Sequence, residues 1–397
     1  MRSRWGRRRP WIGLGSLLCA VSFAAIWWFP QGQSHTFYFG WLLVSSLVFY
    51  VAFTIFSVPY IALGMELSPD YHERGSVISI RTVLAQAGFF VVSSLYWLTS
   101  LDRYADRAEG MRWNSLWMAG VIFVVIAIPA VFAREHPSML KATPKERKKV
   151  PLWTSMKETL SNWPFLNLSL ITIVSLLGLM IVGSLGYYVT IYHLFGGDKG
   201  DASGRLLTMV NYTIPVATII AVPLLQKLSM RIGKRTAMIV AFSIALAGTL
   251  LRWPCYTPLN PWLSIIPSVL LGFGCAGAYV FVNAMIPEAV DVDELKTGER
   301  REGMFSAVYS WMFKLGAAFA LLLAGYVLQG TGFDAALAGA QSESAIFWMR
   351  VCFTFIPAIT LAATIGLAFT YPITETRAYE IRHELEVRRK EQRKTVA

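Results

Sequence analysis

The chain has 397 residues, of which 55% are hydrophobic and 15% charged, and it carries a formal net charge of +12. That balance excludes an ordinary water-soluble domain and points to a membrane protein. Cys19, Cys255, Cys275 and Cys352 lie far apart, the five histidines are scattered, and no GxxxxGK[ST] or HExxH motif occurs. A disulfide framework, a metal centre, an ATP-driven pump and most intramembrane hydrolases are thereby excluded, so neither an enzyme nor a cofactor is expected.

Ten apolar runs follow one another along the chain: 11–29, 39–63, 76–98, 113–133, 165–190, 206–225, 236–251, 262–286, 304–328 and 346–370. Runs of about 20 apolar residues cross a bilayer core of about 30 Å as helices, because every backbone polar group must be satisfied inside the segment. The expected fold is therefore an all-α polytopic bundle. With both termini on one side, 27 of the 36 basic residues fall on that side and six on the other, while Arg81, Lys314 and Arg350 lie within spans. The positive-inside rule then places both ends in the cytoplasm of a bacterial inner (plasma) membrane. Because the basic groups flank spans instead of forming one patch, nucleic acid is not an expected partner. The first run is too long for the apolar part of a signal peptide, and the expectation is an uncleaved span.

The longest polar connection, 135–164, includes the charged run Lys145 to Lys149 and predicts a boundary. It divides an N-terminal bundle of four spans (1–134) from a C-terminal bundle of six (165–371), with a cytoplasmic tail at 372–397 read as a solvated helix. An internal repeat refines that division. Trp5-Gly6-Arg7-Arg8-Arg9 precedes the first span and Arg231-Ile232-Gly233-Lys234-Arg235 precedes the seventh. Glu66, Asp70, Glu73 and Arg74 follow the second span, and Glu288, Asp291, Glu299 and Arg300 follow the eighth, at offsets of 222 to 227 residues. Spans one to four thus pair with seven to ten as related halves. A six-plus-six arrangement would need two further spans before Met1.

Several polar residues stand out within the apolar runs. A charge in the bilayer is costly and marks function or a structural tie between helices. Lys314 lies ten residues into the ninth span, in line with Ser306 and Ser310 at i, i+4, i+8. Arg81 lies five residues into the third span, where it either serves a site with its five donors or snorkels to the interface. Tyr50, Thr54 and Ser57 share a face before Pro59; such hydroxyls either line a site or bond back to their own helix. The eighth span carries Gly272, Gly274 and Gly277, then Tyr279 and Asn283 on one face, suited to a sugar ring or to interhelical packing. At the cytoplasmic ends, Asp70, Glu73, Arg74, Glu288, Asp291 and Arg300 form either a solvated loop surface or a gate of ion pairs. Arg350 reads as snorkelling outward. All 24 acids lie in loops, tails or span ends, so no carboxylate in this chain is expected to partner Lys314 at depth.

Two stretches carry a family resemblance: ValProTyrIleAlaLeuGlyMetGluLeuSerProAspTyrHisGluArg at 58–74 and AspValAspGluLeuLysThrGlyGluArgArgGluGlyMetPheSerAla at 291–307. With the RxGRRR-like start, they resemble the glycoside-pentoside-hexuronide:cation symporters, the melibiose permease group of the major facilitator superfamily. The resemblance implies a twelve-helix bundle of which ten spans are in this chain, alternating access, a small sugar as substrate, Na+ or H+ as coupling cation, and a monomer in the lipid bilayer. It also implies that Arg81 and Tyr279 belong to a sugar site, that Lys314 links sugar and cation sites, that Thr54 contributes to the cation site, and that the two earlier helices supply its acids. Ser57 departs from the pattern, which has an aspartate there. Two further readings stand beside a sugar symporter: a carrier of an anionic or amphipathic substrate such as a uronide or lysolipid, and a non-transporting remnant.

Overall fold

The computed structural model describes residues 8–66, 88–92, 94–95, 97–99, 103–132, 152–298, 301–337 and 339–396. Among them there is no strand, and nine helices are long and apolar enough to cross a membrane. The third expected span lies largely outside the described residues, apart from the shorter apolar stretch Gly88–Thr99. The chain forms two compact units, Met1–Arg147 and Lys148–Ala397.

Unit 1 contains α1 (Arg9–Trp27), α2 (His35–Glu66) and α3 (Arg107–Phe132), with α1 packed against both others. A small core of Ile12, Leu63 and Ala130, flanked by Phe56, Tyr60 and Ile126, joins the three. Gly15 makes this approach possible: a Cβ there would lie 2.7 Å from Cβ of Phe56.

Unit 2 begins with the short amphipathic α4 (Leu152–Leu160), followed by α5 (Trp163–Tyr188), α6 (Asp201–Ile232), α7 (Lys234–Cys255), α8 (Ile265–Gly277), α9 (Asn283–Thr297), α10 (Glu302–Gly330), α11 (Glu343–Phe369) and α12 (Glu375–Val396). Asn162 caps α5 by accepting from Phe165 N at 3.2 Å while its Nδ2 donates to Ala289 O at 3.1 Å. Beneath that cap Phe165 and Phe305 meet edge to face at 4.9 Å, within a core that also holds Ala289, Val290 and Val308. Helix α8 packs on α6 and α7, and α5 on α10 and α11. Two π turns interrupt these spans, Val189–Leu194 after α5 and Ala278–Val282 between α8 and α9.

One contact occurs in both units. In unit 1, Arg9 at the start of α1 donates through Nε to Ala130 O at 2.7 Å and through Nη2 to Val131 O, in the last turn of α3. In unit 2, Arg235 at the start of α7 donates through Nε to Ala368 O at 3.1 Å and through Nη2 to Phe369 O, in the last turn of α11. The opposite ends are tied in reverse. Arg112 of α3 donates to Phe29 O just beyond α1, and Arg350 of α11 donates to Trp253 O in the last turn of α7 at 3.2 Å. Both guanidiniums also lie over the ring of the residue they bond, at 5.4 Å and 4.7 Å. Each antiparallel pair is thus clamped at both ends by arginines on main-chain carbonyls, three of the four clamps on orphan carbonyls of a last helical turn, where a cation also meets the negative end of the helix dipole. The sequence repeat is matched in space: Arg9 pairs with Arg235, and Arg112 with Arg350. Arg350, read as snorkelling, is a helix clamp.

The tail is helical as expected but not wholly solvated. Along α12, Ile381 and Leu385 are buried, the helix packs on α9, and Arg388 donates to Leu295 O at 2.9 Å.

Replacing Arg235 with alanine should lower the thermal midpoint of the purified protein, since hydrogen bonds from a charged donor are worth about 1.5–3 kcal/mol each. Arg235→Lys should recover only part, because a point charge cannot reach two successive carbonyls as the fork does. Thermal unfolding in detergent checks this, and an unchanged midpoint for Arg235→Ala would contradict the clamp.

Candidate functional site

Unit 2 holds a partly open cavity of about 190 Å³ bordered by α5, α7, α8, α9, α10 and α11. Of the sequence candidates, Tyr279 and Asn283 line it; Lys314 does not. Tyr279 stands on the π turn Ala278–Val282, an extra-residue turn that shifts the side chains after it relative to a regular helix. Its carbonyl accepts from Asn283 Nδ2 at 2.7 Å, which fixes the amide beside the ring. Gly274 and Gly277 let α8 approach α7 closely: a Cβ on them would lie 2.5 Å and 2.7 Å from the Cβ atoms of Ala245 and Ala241.

Three further polar residues line the cavity that the sequence reading missed: Thr172, Ser175 and Tyr309. The Tyr309 hydroxyl lies 3.2 Å from Thr172 Oγ1, while Thr172 donates to Leu168 O at 2.9 Å and Ser175 to Thr172 O at 3.0 Å. The signal in α10 was a periodicity one residue out of phase: Tyr309 and Phe313, four apart, face the cavity. Ser306, Ser310 and Lys314 form the adjacent stripe, about 100° around the helix, and are exposed on unit 2. Ser310 bonds back to Ser306 O at 2.8 Å.

In unit 1, Thr54 is exposed and donates to Tyr50 O at 2.8 Å, and Ser57 is half-buried. Asp70, Glu73, Arg74, Arg81 and Arg300 lie outside the described residues.

At the end of unit 2 where α9 terminates, charges are paired inside the unit. Glu288 is buried and bonds Lys234 Nζ at 2.6 Å, and Asp291 is buried as well. Arg301 grips Asp293 with two nitrogens, Nε to Oδ2 at 2.9 Å and Nη2 to Oδ1 at 2.7 Å, and also reaches Glu158 of α4. The hydrogen bonds to Asp293 hold the Arg301 guanidinium above its usual range. Arg301 therefore ties α4, α9 and the start of α10 together. Gly298, at φ +72°, ends α9 and turns the chain toward that arginine.

Tyr371, just after α11, is buried, and its hydroxyl has no hydrogen-bond partner among the described residues. Burial, and secondarily the Glu288 carboxylate, raise its phenol above the ordinary value of 10.0. A raised phenol favours the folded state fully below the unfolded value and loses that contribution as pH climbs past it. Tyr371→Phe should therefore cost little near neutrality and flatten the loss of stability above about pH 10. Thermal midpoints measured from about pH 8 to pH 11 check this; an alkaline slope as steep as that of the unchanged protein would contradict it.

Nine spanning helices among the described residues, a twofold internal repeat and a cavity within one of the repeated units define an integral membrane protein of the polytopic transporter class. The chain belongs to the family described as MFS/sugar transport protein, which it matches over residues 1–375, and it is a secondary transporter, not an enzyme. It is 23% identical to the isoprimeverose transporter of Lactiplantibacillus pentosus, over 90% of this chain and 72% of that one. It is 24% identical to the human sodium-dependent lysophosphatidylcholine symporter 1, over 98% of this chain and 75% of that one. Its fold is similar to the crystal structure of a D-xylose-proton symporter, with a TM-score of 0.58 at 13% identity, covering 95% and 83% of the two chains.

Proposed function

We propose that the protein is a cation-coupled symporter of a glycoside or related small sugar, working by alternating access of its two units. The observation that carries this reading is the pairing of Tyr279 and Asn283 at an internal cavity, with the Tyr279 ring partly exposed. An aromatic plane receives the apolar face of a pyranose, and the amide and the Tyr309 hydroxyl offer both donor and acceptor groups to sugar hydroxyls. The isoprimeverose relative supports a sugar, and the sodium-dependent relative supports a coupling cation, Na+ or H+.

In this reading Arg81 and Ser57 also serve the substrate, and Thr54 contributes to the cation site. Lys314, beside Ser310 and Ser306, couples the two. Both termini face the cytoplasm, where Asp70, Glu73, Arg74, Glu288, Asp291 and Arg300 act as the gate. Glu288 and Lys234 then exchange partners, or hold them, as that side opens and closes.

Lys314→Ala and Lys314→Met should abolish gradient-driven uptake while leaving membrane insertion intact, because removing an exposed intramembrane charge does not burden the helix. Uptake of labelled sugars into membrane vesicles, with and without imposed sodium or proton gradients, measures this. Full gradient-driven uptake by either variant would remove Lys314 from the mechanism.

A further inference from the structure

The cavity has chemistry at one end only. Along α5 it runs from Thr172 to Val182, ten residues or about 15 Å of helix. Thr172, Tyr309 and Asn283 mark the polar end, and Leu179, Val182, Leu271 and Cys275 line the other. Thr172 and Ser175 already use their O–H donors on carbonyls of their own helix and can offer only acceptor lone pairs, and beyond them toward Val182 no oxygen or nitrogen side chain among the described residues lines the cavity. A sugar ring pushed past them would bury hydroxyls without partners, at a cost that no contact there offsets. An apolar cavity of about 150 Å³ holds a benzene molecule, and this one measures about 190 Å³. Two of its walls are drawn in by close helix approach, since Gly274 faces Ala245 and Gly178 faces Thr360 with no room for a larger side chain.

Resting on the transporter reading above, we propose that this cavity is a second compartment of the binding site. It takes an apolar substituent of the transported molecule, a single ring or a short alkyl chain, while the polar head stays among Tyr279, Asn283 and Tyr309. The substrate class is thus an amphipathic glycoside and not a bare sugar.

The test uses the full chain in lipid nanodiscs and three probe sets: methyl, n-butyl and n-hexyl β-D-glycosides of xylose, glucose and galactose; the free sugars; and n-hexylphosphocholine. Binding is read by calorimetry and by native mass spectrometry of the nanodisc-released complex. For one sugar head the affinity should rise about fourfold per added methylene, the factor for about 0.8 kcal/mol of apolar burial, until the cavity is full. The hexyl glycoside should be retained in the complex and the free sugar should bind far more weakly. Val182→Phe, which fills the apolar end, should bring the hexyl-to-methyl affinity ratio toward one. Methyl and hexyl glycosides that bind equally, or a ratio unchanged in Val182→Phe, overturn the compartment and leave the sugar reading standing. Val182→Phe-sensitive binding of hexylphosphocholine, with no binding of the hexyl glycosides, keeps the compartment and overturns the sugar head. If no hexyl probe binds, the compartment is overturned.

Discussion

The arginine clamp is the contact on which both units rest. A helix that ends in or near a membrane leaves its last carbonyls without partners, and in low dielectric each orphan is expensive. Arg9 and Arg235 meet that need for α3 and α11, and Arg112 and Arg350 meet it at the ends of α1 and α7. Because each clamp joins the start of one helix to the end of its antiparallel neighbour, the pairs α1–α3 and α7–α11 are fixed in both register and tilt. The remaining helices of unit 2 pack against a frame already set, and the cavity lies where α7 and α11 face α5 and α8.

Charge is distributed to suit that frame. At both ends of each helix pair an arginine is held by main-chain carbonyls of the neighbouring element. The acids of unit 2 are free to pair near the end of α9, where Glu288 meets Lys234 and Asp293 meets Arg301. Buried ion pairs are weak stabilisers but costly to break singly. Their concentration at one end makes that end a place where two discrete arrangements can differ sharply in energy.

Much of the fold was legible in the sequence, because a span is written in composition and length, and a repeat in spacing. The pairing of halves followed from Gly6 and Gly233 and reappears as Arg9 and Arg235. Other features left no such trace. The role of Arg350 depends on a carbonyl 97 residues away, and the second half is 12 residues longer between its clamps than the first, which no single offset reveals. The docked edge of α12 has only Ile381 and Leu385 as apolar anchors in a charged helix. At the cavity, Tyr279 and Asn283 were legible as neighbours because they share a face of an apolar run. Tyr309 was hidden by its neighbours, since the serine and lysine stripe beside it is the stronger pattern. The π turn that positions Tyr279 arises from packing, not from any residue that signals it.

The acceptors of all four clamps are main-chain oxygens. A carbonyl is present whatever side chain the residue bears, so positions 130, 131, 368 and 369 are free to change without loss of the bond. In a collection of related sequences the arginines would therefore stay fixed while the residues they hold vary independently of them. Methods that infer contacts from correlated substitution would be blind to these main-chain contacts that define each helix pair.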